Sequence, residues 1–182
     1  GIGTPEDIAR VYGKMVDKGF STEGYKEAMS HYQKMASKSK GKPATPEQIK
    51  DLDDLTTLRG FDPAMYVRVL DHLGLVSAKT GKPLRGIEVK EGKLVGLTEA
   101  QANALIGFIN EFVPKAGKIK GVGKADKDWH KLNQIAHMEV RARGITTEME
   151  QLIKQTLGIP KQSLEFATKT QLRKFITAIE EF

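Results

Sequence analysis

The sequence contains no cysteine and one tryptophan, and it has no long apolar run. The absence of cysteine excludes disulfides, thiolate zinc sites, iron–sulfur clusters and cysteine nucleophiles. It fits a reducing compartment, so we expect a cytoplasmic protein. No run approaches the roughly 18 apolar residues that are needed to cross a bilayer, so the sequence predicts no membrane partner.

Recognised catalytic and phosphate-binding motifs are also missing. No serine lies in a Gly-x-Ser-x-Gly elbow, no Gly-x-Gly-x-x-Gly follows a strand, and no Gly-Lys-Ser/Thr completes a Walker loop. His130 and His137 would share a helix face, but two solvated histidines explain that spacing more simply than a metal does. Asp53 and Asp54 would suit a divalent ion, yet acids are expected near the start of a helix. We therefore predict no catalytic residue, no metal and no cofactor, with a metal-dependent nuclease as a minor alternative.

The length and composition are those of a folded chain. At 182 residues, the sequence has room for one domain or two small ones with a real core. Hydrophobic residues make up 39% and charged residues 29%, which is typical of a globular protein rather than a disordered one.

An internal repeat organises the chain. One block recurs at an offset of 41, a second at 84 and a third at 70. The change from 84 to 70 implies 14 extra residues in the earlier copy, between Val76 and Gly96. The sequence thus predicts one partial and two full copies of a helical unit. The paired positions are Thr4–Ile8 with Thr45–Ile49, Gly60–Phe61 with Gly144–Ile145, Leu73–Leu75 with Leu157–Ile159, and Thr98–Phe112 with Thr168–Phe182.

Local signals predict an all-α fold, a compact helical bundle of repeated helix-turn-helix units. Threonines suit the N-cap position of helices, and glycines suit the left-handed residue just past a helix end. Short alternating apolar residues around Gly turns predict a small β-hairpin inserted at 76–96. The caps are Thr4, Thr45, Thr98 and Thr168; the glycines are Gly19, Gly60, Gly74, Gly144 and Gly158; the predicted core includes Phe61, Met65, Phe108, Phe112, Met138, Met149, Phe175 and Phe182.

The repeat suggests four segments. They are an N-terminal helical pair at 1–42, a first full repeat at 43–114, a basic Gly/Lys linker at 115–127 and a second full repeat at 128–182.

Positive charge is concentrated in the connectors. Residues 34–42 carry +4, the hairpin segment 79–93 carries +3, and the linker 115–127 carries +4, which leaves −5 for the rest of a chain whose net charge is +6. Lysines gathered in glycine-containing loops are suited to neutralise phosphates and release counterions. We expect these loops and an adjacent aromatic residue to bind nucleic acid, with DNA favoured. The predicted residues are Lys38, Lys40, Lys42, Lys79, Lys82, Arg85, Lys115, Lys118, Lys120, Lys124, Lys127, Trp129 and Lys131.

Two features of this interface have alternative interpretations. Trp129 would stack on a base, or it would anchor the start of a helix in the core. The segment Gly121–Gly123 resembles the turn of a helix-hairpin-helix DNA-binding element, in which backbone N–H groups contact phosphate, although a plain flexible linker also explains it.

The C-terminal residues resemble a known module. Leu132–His137, Gly144–Ile145, Leu157–Ile159 and the Thr168-x-x-Gln171-Leu172 pattern are similar to the short helical module of phage Mu-like GemA regulatory proteins and to C-terminal modules of RecT-type phage recombination proteins. The resemblance covers 128–182 and, more weakly, 45–113; the 14-residue insertion departs from it. It implies a phage or mobile-element protein that acts on DNA.

Two functions follow as hypotheses. The first is a non-enzymatic nucleic-acid-binding accessory factor in phage replication, recombination or regulation, with a protein partner in such a complex. The alternative is a protein-interaction adaptor whose helical units present grooves to a partner helix.

Overall fold

The computed structural model describes residues 23–38, 40–115 and 127–181. These residues are mostly helical and contain one small antiparallel hairpin, so the prediction of an α-helical fold with a β-hairpin is confirmed. The chain divides into two compact units: Glu27–Lys115, here called the hairpin unit, and one that includes residues 127–181, here called the C-terminal unit. The predicted N-cap Thr4 and the predicted helix end Gly19 lie outside the described residues.

The hairpin unit is built around a pair of helices. Helix α2 packs mainly on α4, and the side chains of Met65, Leu70, Leu105 and Phe108 are buried between the elements. Burial of such side chains is the main favourable contribution to folding. The elements of this unit are α1 (Glu23–Ala36, of which the unit includes the part from Glu27), α2 (Pro46–Leu58), α3 (Pro63–His72), β1 (Glu88–Lys90), β2 (Lys93–Val95) and α4 (Glu99–Phe112).

Capping boxes fix where α2 and α4 begin. The Thr45 hydroxyl accepts from the backbone N–H of Gln48, whose side chain returns to the Thr45 N–H. Thr98 and Gln101 make the same reciprocal pair at the start of α4. Each box satisfies two backbone donors that have no partner inside the helix, which is why Thr and Gln three residues apart define a helix start.

The insertion between α3 and α4 contains two small structural features. A turn comes first, closed by a bridge between Val76 and Pro83. The β1–β2 hairpin follows, with Glu88 opposite Val95 and Lys90 opposite Lys93. Its two-residue turn holds Glu91 at φ 51° and Gly92 at φ 77°, the positive values that match the twist of the strands.

The C-terminal unit is also built around a pair of helices, and its described residues 127–181 contain no strand. Helix α5 packs mainly on α7, around a core that includes Trp129, Ile153, Leu172 and Phe175. Its elements are α5 (Lys127–Ala142), α6 (Thr147–Thr156), short 3-10 turns at Pro160–Gln162 and Leu164–Phe166, and α7 (Lys169–Glu180).

Several features of the two units correspond at fixed offsets. Helices α3 and α6 both have 10 residues and begin 84 residues apart, and α4 and α7 begin 70 apart. Backbone hydrogen bonds that close the helix ends also match. They run from Phe61 to Thr56 and from Ile145 to Val140, and from Leu75 to Leu70 and from Ile159 to Lys154.

The predicted core residues are buried with two exceptions. Phe61 is only half-buried, and it packs edge-on against Tyr66 with ring centroids 5.1 Å apart. Phe182 lies outside the described residues. The buried ones are Met65, Phe108, Phe112, Met138, Met149 and Phe175.

Candidate nucleic-acid interface

An open cleft in the insertion gathers three basic side chains. Lys82, Arg85 and Lys90 line a depression of about 710 Å³ beside the first turns of α3. Its remaining lining is largely apolar, and Leu84 is 38% exposed there. A shallow apolar floor with cations at its edge offers both charge and contact area to an extended polyanion. We call Lys82, Arg85 and Lys90 the cleft cations.

Local hydrogen bonds hold the first of these residues in place. The Ser77 N–H donates to the Lys82 carbonyl at 2.8 Å, and the Gly81 N–H donates to the Ser77 carbonyl at 2.8 Å. The Leu84 N–H donates to the carbonyl of Leu75, just past the end of α3, at 2.9 Å. The turn is therefore tied to α3, and its lysine is presented from a closed loop rather than from a free chain.

The cleft carries a net positive charge. Among the described residues that line it, Glu88 is the one acid, and it pairs with Lys90 at 3.2 Å between two exposed side chains. Exposed pairs of this kind contribute little, so the Lys90 ammonium remains available to a phosphate. Within the part of the chain that the structure describes, neither Lys82 nor Arg85 pairs with an acid.

A second basic loop, with Lys38, Lys40 and Lys42, is attached to the start of α4. The Ala44 N–H donates to the Leu97 carbonyl at 3.0 Å, and the Glu99 N–H donates to the Lys42 carbonyl at 2.9 Å. All three lysine side chains are exposed. The loop that the charge pattern predicted as an interface is thus anchored by its backbone, while its ammonium groups face solvent.

The other predicted lysines are distributed more widely. Lys79 is exposed in the Val76–Pro83 turn, and Lys115 and Lys127 are exposed at the borders of the described segments. Lys131 is only partly exposed, and its Nζ lies 3.4 Å from Oε1 of Gln134. Lys118, Lys120 and Lys124, together with the Gly121–Gly123 turn, lie outside the described residues.

The structure corrects the stacking role predicted for Trp129. Its side chain is 1% exposed, and the indole N–H donates to the Ala167 carbonyl at 2.6 Å. The ring is part of the C-terminal core and is not available to a base. The alternative interpretation, a core anchor at the start of a helix, agrees with this position. The amphipathic indole suits it, because the ring is buried while its single donor finds a partner.

Sequence reasoning missed the contribution of Lys90 and the apolar floor of the cleft. Lys90 contributes to the positive charge of residues 79–93, but the sequence alone does not place it at the interface. Its position depends on the register of the hairpin, and the floor depends on Pro63 and Val67 of α3. The sequence Glu91-Gly92 is typical of a two-residue hairpin turn, and it therefore places Lys90 at the end of the first strand.

Histidines and acids do not assemble into a metal centre in the described residues. No group of three or more His, Asp or Glu side chains there could hold an ion. Asp53 instead pairs with Lys93 at 3.5 Å. His137 is partly buried rather than solvated, contrary to prediction, and this burial lowers its pKa. Its neutral form is therefore favoured.

No helix in the described segments is both long and apolar enough to span a bilayer. Comparison of the chain with protein-family models, with curated proteins and with solved structures gives no match. The similarity to the phage modules therefore stays a prediction from the residues.

Proposed function

We propose that this chain is a non-enzymatic nucleic-acid-binding protein that contacts the phosphate backbone through its basic connectors. The observation that carries the proposal is the open cleft with its three cleft cations and a single acid. We further propose, from the resemblance of residues 128–182, a cytoplasmic accessory factor of a phage or mobile element in DNA replication, recombination or regulation.

The physical argument rests on charge, exposure and shape together. Lysine and arginine side chains neutralise phosphates and release condensed counterions without reading the base sequence. The described residues that line the cleft include apolar side chains but no aromatic ring for a base to stack on. Backbone binding that tolerates many sequences is therefore the mode that this surface supports best.

The two units are also proposed to be copies of one helical repeat. Support comes from the matching helix starts, the matching closing hydrogen bonds, and glycines in left-handed conformation at corresponding positions. Gly60 and Gly144 have φ values of 61° and 65°, and Gly74 and Gly158 have 74° and 69°. In this view the insertion is an addition to one copy, and that addition contains the cleft cations.

Fluorescence anisotropy of labelled single- and double-stranded oligonucleotides tests the proposal. We expect binding to at least one of them at about 50 mM salt, and a marked loss of affinity at about 200 mM salt because counterion release weakens. Two unrelated sequences of each kind should bind alike. Absence of binding at the lower salt concentration, or affinity that does not change with salt, would reject the proposal.

A protein-interaction adaptor remains the second candidate, and one observation favours it. An apolar cleft in the hairpin unit leaves large hydrophobic side chains open to solvent, including Ile49, which is 52% exposed. Exposed apolar surface of this kind is typical of sites that bind another molecule.

A further inference from the structure

The apolar cleft lies between helix α2, strand β2 and the backbone of residues 43–44. It encloses about 200 Å³ and is separate from the cleft that holds the cleft cations. Ile49 is 52% exposed and Val95 39% exposed, although both are large and apolar. The residues that shape it are Ile49, Leu52, Tyr66, Val95, Leu97 and Ala102.

Under the repeat proposed above, residues on the wall of the cleft have counterparts in the C-terminal unit that share a core with an indole ring. At the offset of 70, Leu97 on the wall of the cleft corresponds to Ala167, and Ala102 corresponds to Leu172. Ala167 and Leu172 belong to the same core as Trp129, whose indole N–H donates to the Ala167 carbonyl at 2.6 Å. In the hairpin unit the position that matches Trp129 is Thr45, which cannot fill the space.

The backbone of the cleft retains a group that could receive an indole. The Leu97 carbonyl accepts one hydrogen bond, from the Ala44 N–H at 3.0 Å. A carbonyl oxygen has two lone pairs, so it has capacity for a second donor such as an indole N–H. This is the same type of bond that Trp129 makes in the other unit.

We propose that the apolar cleft binds a tryptophan side chain from an acidic peptide segment of a partner protein. This inference goes beyond nucleic-acid binding, and it uses a different surface. An acidic segment is specified because Lys42 precedes Pro43 on the rim and Lys93 lines the cleft. Lys93 is paired with Asp53 at 3.5 Å across exposed groups, a contact weak enough for an incoming carboxylate to replace.

The lining favours an indole over a nucleobase. A base brings several polar groups on its edge, and burial of such groups without partners is costly. The polar side-chain groups of the lining are few: Asp53 and Lys93 pair with each other, and the Tyr66 hydroxyl is hydrogen-bonded to Thr56. An indole brings a single donor, for which the Leu97 carbonyl is sufficient.

Titration of the full chain with a defined peptide tests this inference. The probe is an acetylated and amidated peptide with one Trp between two Glu on each side, followed by methyl NMR of the protein. We expect chemical-shift changes at Ile49, Val95 and Leu97. Ile49→Asn should weaken peptide binding by about tenfold or more, because a polar amide that adds no charge replaces part of the apolar wall.

Leu58→Asn is the matched control. Leu58 is on the same helix, is 57% exposed and does not line the cleft. Both substitutions place the same neutral polar group at an exposed position, so both proteins should fold, and only Ile49→Asn should lose the peptide. Equal loss in the two variants, equal binding of a peptide with Ala in place of Trp, or no shifts in the wild-type protein would overturn the inference.

The nucleic-acid proposal is tested separately by the same variants. Ile49→Asn leaves the charge of the protein unchanged, so it should not weaken oligonucleotide binding that depends on lysines. If an oligothymidylate instead shifts the Ile49 and Val95 methyl signals and displaces the peptide, the occupant is a base. That result would overturn the proposed tryptophan site while supporting nucleic-acid binding.

Discussion

Tyr32 shows how single side chains join α1 to α4. Its ring packs edge-on against Phe112, with centroids 6.2 Å apart, and its hydroxyl donates to a Glu111 carboxylate oxygen at 2.5 Å. Gly107 makes room for the ring, since a Cβ there would lie 2.4 Å from a ring carbon. A glycine inside a helix usually weakens it, so this one is explained by the close approach of the tyrosine.

We predict an unusual titration for Tyr32. Burial, and then the hydrogen bond to the Glu111 carboxylate, raise its pKa to about 12 from an ordinary value of 10.0. Ultraviolet absorbance against pH should show late-ionising tyrosine, to which Tyr66 also contributes because burial raises its pKa. Tyr32→Phe should remove the step near pH 12. Glu111→Gln should move it to lower pH without restoring the ordinary value, because burial remains.

The same shift has a defined effect on stability. A raised pKa means that the folded state holds the proton more firmly than the unfolded state does. The contribution of Tyr32 is therefore fully present below pH 10 and is lost as pH rises from 10 toward 12. Denaturant unfolding of wild-type and Tyr32→Phe proteins across this range should show a steeper alkaline loss in the wild type. Parallel curves would contradict this explanation.

Elements whose signals are local were predicted well from the sequence. The helix starts after Thr45, Thr98 and Thr168 were predicted from the threonines as N-caps, and the structure adds that each threonine forms a capping box with a glutamine three positions later. The role of Trp129 could not be predicted from residues near it in the sequence. Whether an indole near a basic linker faces solvent or the core depends on Ala167, which is 38 residues away.

The hairpin depends on a close backbone approach at Gly96. This residue has φ +84°, and a Cβ built on it would lie 1.7 Å from the Gly86 carbonyl oxygen. Gly81 also has a positive φ, +67°, but a Cβ there meets nothing within 4 Å. Alanine substitutions at the two positions therefore distinguish the cost of backbone strain from the cost of a steric clash.

We expect Gly81→Ala to lower the free energy of unfolding by about 1–2 kcal/mol, through the left-handed conformation alone. Gly96→Ala should cost about 1–3 kcal/mol more, because the methyl group has no space. Urea denaturation followed by circular dichroism measures both values. Equal losses would mean that the backbones near Gly86 and Gly96 separate at little cost.

At the scale of the whole molecule, the excess positive charge lies in different parts of the sequence from the mildly acidic remainder. The connectors hold the positive excess, while the remaining sequence carries −5. The positions of the charged residues along the sequence were sufficient to predict that separation and the basic loops. It was insufficient to predict which cations converge, because the cleft forms only when the insertion folds against Pro63 and Val67 of α3. The apolar cleft could not be predicted from the sequence either, because its walls include residues of α2, β2 and α4.

The salt dependence of oligonucleotide affinity tests the central claim most directly. The variant replaces the cleft cations Lys82, Arg85 and Lys90 with Gln, and a control makes the same three-charge change at exposed Lys161, Arg173 and Lys174 of the C-terminal unit. If the cleft binds phosphates, the cleft variant should lower the log–log salt slope by about 2–3 units, as expected for three lost contacts. The control should keep the wild-type slope. An unchanged slope in the cleft variant, or the same reduction in both variants, would contradict the account.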